Sequence, residues 1–97
     1  MLTLPAVLTH AASAAFARGL PQAVRSQPAE VVADASALQQ FDSSALAVLL
    51  ECRRQAMAAG KAFAVHGAPA RLRELASLYG VQSLIPPMET AATVAAA

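Results

Sequence analysis

Three sets of side chains in this 97-residue chain could do covalent or proton chemistry. They are the thiol of Cys52, the imidazoles of His10 and His66, and the acid–hydroxyl run Asp42-Ser43-Ser44. A Cys–His nucleophilic pair needs an exposed, activated thiolate. Helical spacing puts Cys52 on the apolar side of its helix, so it reads as a buried structural cysteine. Two histidines far apart, with no cysteine or carboxylate cluster beside them, do not make a metal site. His66 precedes Gly67 at a predicted strand end, where a histidine needs no special role. The chain also lacks a phosphate-binding loop, a dinucleotide fingerprint and a nucleophile elbow. The expectation is a non-enzymatic protein with no catalytic residue, no cofactor and no metal.

The run Phe41-Asp42-Ser43-Ser44-Ala45-Leu46-Ala47-Val48-Leu49-Leu50 points elsewhere. It places an acid and two hydroxyls at the start of an apolar-faced helix. Asp42 can accept hydrogen bonds from the free N–H groups of the first turn, where the helix dipole favours its charge. Ser43 falls at an exposed edge, where added negative charge would be felt strongly. An ordinary cap would look the same, so the rest of that face matters. It carries Ser43, Ser44, Ala47 and Ala58 with the more polar Glu51 and Arg54, and Leu50 lies at its margin. Small side chains let another backbone approach, and Leu50 supplies an apolar anchor. A helix face built only for solubility would carry more Glu and Lys. The candidate partner-binding residues are therefore Asp42, Ser43, Ser44, Ala47, Leu50 and Arg54.

Composition narrows the class further. At 9.9 kDa the chain makes one small domain with a single core. Its 57% hydrophobic fraction is inflated by alanine, so the core must come from scattered Leu, Val, Phe and Met. A net charge of +1 with 4% aromatics provides neither the basic stripe nor the stacking platform of a nucleic-acid binder. A lone cysteine allows no internal disulfide and fits a reducing compartment. The segment from Met1 to Ala17 superficially resembles a secretory leader. It lacks a basic n-region, and Pro5, Thr9 and His10 interrupt the apolar stretch, so it is expected to belong to the fold. No segment approaches the ~20 apolar residues of a membrane span, and the chain is expected to be soluble.

The elements that must position these residues follow from pattern and punctuation. Met1 to Leu8 reads as a short strand bent at Pro5, with Leu2, Leu4 and Val7 inward. An alanine-rich helix then opens at Thr9 or His10, with a stripe of Ala12, Phe16, Leu20 and Val24, and Gly19 and Pro21 split it. Glu30 to Asp34 is a compact central strand, and Ala35 to Phe41 crosses the sheet edge with Leu38 and Phe41 packed inward. The helix from Ser43 to Ala59 buries Ala45, Leu46, Leu49, Cys52, Ala56 and Met57, and Gly60 ends it. Arg53 falls within that apolar sector and is expected to snorkel. Lys61 to His66 forms a third strand. Pro69 suits the first turn of the next helix, where Leu72, Leu75, Ala76 and Tyr79 follow an i, i+3, i+4, i+7 spacing. Gly80 closes it with Val81 as hydrophobic partner. Arg18, Arg25, Arg71 and Arg73 read as solvated cations. Leu84-Ile85 reads as a short edge strand, and residues 86–97 as a tail without core pattern. The alternation predicts an α/β domain over residues 1–85, a small mostly parallel sheet flanked by about three helices.

With these residues in place, the chain resembles the STAS domain family (sulfate transporter and anti-sigma-factor antagonist). The resemblance rests on the element order, on Asp42 to Leu50, on Val7-Leu8-Thr9 and Gly60-Lys61, and on the helix from Leu72 to Val81. Within the family it is most similar to the small stand-alone (MlaB-like) subunits of phospholipid ABC transporters. What the resemblance implies is a non-catalytic cytoplasmic module, peripheral to the inner membrane through a transporter complex. Its partner would be the transporter's ATPase subunit, contacted at the helix start, with the membrane complex engaged only indirectly. In the anti-sigma antagonists the hydroxyl after the aspartate is the phosphorylation site, which maps onto Ser43. Ala45 stands where many relatives have glycine, and its methyl group is expected to crowd an approaching kinase or partner. A third possibility, an anion site at the helix start, lacks a glycine-rich loop.

Overall fold

The computed structural model describes residues 1–87. In chain order these form β1 (Leu2–Thr3), β2 (Val7–Leu8), α1 (His10–Arg18), α2 (Leu20–Arg25), β3 (Glu30–Asp34), β4 (Gln40–Phe41), α3 (Ser43–Ala58), β5 (Ala62–His66) and α4 (Ala70–Leu78). A 3-10 turn follows at Gln82–Leu84. The predicted tail falls mostly on residues 88–97, outside the described residues.

Two ladders share one core. β3 lies between β1 and β5, and both pairings are parallel. The second ladder joins β2 to β4, also in parallel. Pro5 divides what would otherwise be one amino-terminal strand, because a proline cannot donate to a ladder. That division changes the phase of burial. Leu2, Leu4 and Leu8 are buried while Val7 is exposed, so Val7 is not the inward residue its spacing suggested.

Gly19 and Pro21 split the first helix as expected, giving α1 and α2. The longest helix, α3, buries Ala45, Leu46, Leu49, Cys52 and Ala56, together with Val48. Met57 is 57% exposed instead. The buried stripe is turned towards Val48 because α1 packs on that side of α3. Both α3 and α4 end in the same paired arrangement of backbone bonds. Gly60 and Lys61 donate to the carbonyls of Met57 and Ala56, and Gly80 and Val81 donate to those of Ser77 and Ala76. In α4 that return places Val81 against the core, and Tyr79 is left 58% exposed rather than inward.

The expected edge strand at Leu84-Ile85 is not formed. Leu84 belongs to the 3-10 turn, and the sheet edge is met by Pro86 and Pro87. Val65 donates its N–H to the Pro86 carbonyl at 2.9 Å. Two prolines supply acceptors but no donors, and among the described residues the contact is a single bridge.

Candidate docking surface

The β2–β4 ladder explains why two helices begin side by side. Val7 pairs with Gln40 and Leu8 with Phe41. Each strand is followed by one capping residue, Thr9 or Asp42, and then by the first residue of a helix, His10 or Ser43. Parallel register therefore brings the amino termini of α1 and α3 to the same corner.

Asp42 sits between them. Its Oδ1 accepts the backbone N–H of Ser44 at 2.8 Å, the cap that the sequence predicts. Its Oδ2 accepts the backbone N–H of His10 at 3.1 Å. Thr9, at the N-cap of α1, makes no side-chain capping bond, so Asp42 serves both helix starts. The Ser44 N–H is the main reason that the Asp42 carboxyl titrates below its ordinary range. The His10 N–H, the Ser44 hydroxyl and the His10 imidazole add to the effect, and desolvation opposes it.

Ser43 is exposed, and its hydroxyl makes no hydrogen bond among the described residues. Ala45 is fully buried. Its methyl group faces the core, so the expected crowding of a partner at this position does not arise. Ser44 is half-buried and Ala47 exposed, and both line a shallow groove of about 250 Å³ between α3 and α1. Val48 and Glu51 complete the α3 side, and His10, Ser13, Ala14 and Ala17 form the other. Leu50 is half-buried and packs against the core, so only part of its side chain faces outward.

Arg54 is exposed and makes a two-point contact with Glu51, Nε to Oε1 at 3.0 Å and Nη2 to Oε2. Gln55 Nε2 donates to the same carboxylate at 2.9 Å. Arg54, then Gln55, hold the Glu51 carboxyl down at about 2. Arg71 is not simply solvated, since its guanidinium lies 5.5 Å from the centre of the ring of Phe41, the residue before Asp42 in the chain.

Of the residues lining this groove, sequence reasoning named Ser44 and Ala47 on α3 as candidates and none on α1. The signal was the run of small residues Ala11-Ala12-Ser13-Ala14-Ala15 with Ala17 beyond it, which only the β2–β4 pairing brings beside Ser44 and Ala47. Cys52 is fully buried, and burial pushes its thiol up to about 11. A larger, mainly apolar cavity of about 570 Å³ lies between β5, α4 and the 3-10 turn and shares no lining residue with the groove. Among the described residues no group of three or more His, Cys, Asp or Glu could hold a metal ion, and no helix is long and apolar enough to cross a membrane.

Parallel strands alternating with helices, and an Asp-capped helix that opens on a free hydroxyl, are the features of a STAS domain. The family described as "Mlab, STAS domain" matches residues 1–86, and the chain belongs to it. None of the curated proteins matches the chain.

Proposed function

We propose that this protein is a non-catalytic accessory subunit of a phospholipid-transporting ABC transporter, serving the lipid asymmetry of the outer membrane. It docks on the cytoplasmic ATPase through the start of α3 and thereby lies at the inner membrane without entering it. The family membership supports the class of complex. The observation that carries the surface is the exposed first residue of α3, Ser43, whose unengaged hydroxyl lies beside a groove of small side chains. A partner that binds only one conformation of the ATPase populates that conformation by mass action. The test is coexpression with the transporter ATPase of the same organism. The wild-type chain is expected to copurify with it, and Ser43→Glu and Ala47→Arg to lose the complex while keeping native circular dichroism. Both positions are exposed, so neither change touches the core. Copurification of both variants at wild-type yield would refute the surface.

A second reading is favoured by the burial of Ala45, which leaves the approach to Ser43 open. In it the chain is an anti-sigma-factor antagonist, and phosphate on Ser43 switches its partner off. Mass spectrometry of the protein isolated from its own cells separates the two readings, because only this one requires phosphorylated Ser43.

A further inference from the structure

We propose that Asp42 is a positioning residue for the docking surface: its two carboxylate oxygens lock the first turn of α1 to that of α3 and so set the groove that the partner meets. The inference rests on the docking reading above and goes beyond it, because it makes α1 part of the surface.

The geometry behind it is specific. A helix start leaves N–H groups without intrahelical partners, and each is ordinarily satisfied by its own cap or by water. Here Thr9 does not cap α1, and the His10 N–H is taken by a side chain 32 residues away. The same carboxylate caps α3 through Ser44. His10 and Ser44 are also residues that line the groove. Locking one to the other therefore fixes the groove's mouth on both sides. A hydrogen bond between a charged carboxylate and a neutral N–H is stronger than a neutral pair, which suits a contact joining two elements at a surface. The titratable group beside the Asp42 carboxyl is the His10 imidazole, and the nearest cation on α4 is Arg71, over the ring of the preceding Phe41.

Two substitutions separate the lock from the cap. In Asp42→Asn the amide keeps one acceptor oxygen, so it can cap α3 but cannot accept from both helices. Asp42→Ser also preserves a good cap, and its single short hydroxyl cannot span to α1. The experiment uses the full isotope-labelled chain and follows the backbone amide protons at positions 10 and 44 through an acid titration. A His10→Gln background removes the neighbouring imidazole, and the titration is run in that background with and without Asp42→Asn.

With Asp42 present, the two amides are expected to move together with one midpoint, and after Asp42→Asn that shared step disappears. The methyl signals of Ala14 and Ala17 on α1 shift in both variants, which loss of an α3 cap alone would not cause. Binding of the ATPase, measured without the His10 change, weakens about tenfold in both while helix content is retained. A Ser44 amide that titrates while the amide at position 10 does not, or wild-type affinity in Asp42→Ser, overturns the proposal. The titration needs no partner. A wild-type chain that binds no ATPase therefore refutes the docking reading, while the amides still decide the lock.

Discussion

Position within an element decides what a reactive side chain can do, and Cys52 illustrates it. The residue lies on the inner stripe of α3, where burial disfavours the thiolate and the nearby Glu51 charge adds to the effect. The native thiol is therefore expected to react with a disulfide reagent at about pH 8 only as fast as the domain opens. Comparing that rate with the rate in urea checks it, and immediate reaction in native buffer would mean an exposed thiol. Lys61 shows the opposite case, a charged group whose bonding no sequence pattern reveals. Its ammonium donates to the carbonyls of Val24, Arg25 and Gln27 at 2.9, 3.1 and 2.5 Å, where α2 ends. All three donors meet acceptors at the negative end of a helix. Lys61→Met keeps the apolar stem and removes the charge, and it should lower stability by about 1–3 kcal/mol in urea titrations.

At the scale of elements, most of this chain was legible because helix and strand periods leave strong marks. β3, α3, β5 and α4 follow directly from apolar spacing and from the glycines after each helix. What escaped were elements too short to have a period. β2 and β4 have two residues each, yet their pairing sets the site by bringing α1 and α3 to one corner. Met57 and Tyr79 were misplaced for a related reason, since spacing identifies an apolar arc but not which neighbour packs on it. Two glycines allow close approach and helix ending to be told apart. Gly67 has φ +68°, and a Cβ there would meet the Ser36 Cβ at 2.8 Å. Gly80 has φ +72° with nothing within 4 Å of such a Cβ. Gly80→Ala should cost about 1–2 kcal/mol from left-handed backbone strain alone. Gly67→Ala should cost clearly more, because β3 and β5 must also separate where their loops meet. Equal losses in denaturant titrations would show that the contact with Ser36 yields freely.

For the whole molecule, the carboxylates make a prediction about acid. Asp34, Asp42 and Glu51 all titrate below their ordinary range in the folded protein. A depressed folded pKa gives stability that is complete above the unfolded value, roughly 4, and is lost as pH falls through the folded one. The melting temperature should therefore fall from about pH 4 downwards, with the contribution of Glu51 lost as pH approaches about 2. Salt separates the causes. Glu51 owes its shift first to hydrogen bonds from the exposed guanidinium of Arg54, then to Gln55, and least to the charge of Arg54, the part that ions screen. Asp34 and Asp42 owe theirs chiefly to neutral donors, the Ser36 hydroxyl and N–H and the Ser44 N–H, which ions affect far less. Glu51→Gln should then flatten the acid limb both in dilute buffer and, somewhat less, in about 0.5 M salt, where screening lengths shrink to a few ångströms and only the charge–charge part is removed. Asp42→Asn should flatten it at both ionic strengths, because its bonds join two helices through N–H groups rather than pairing two ions. Melting curves from pH 2 to 7 at the two ionic strengths decide the matter. A salt-sensitive contribution from Asp42 would mean that long-range charge, not the paired N–H groups, holds the corner together.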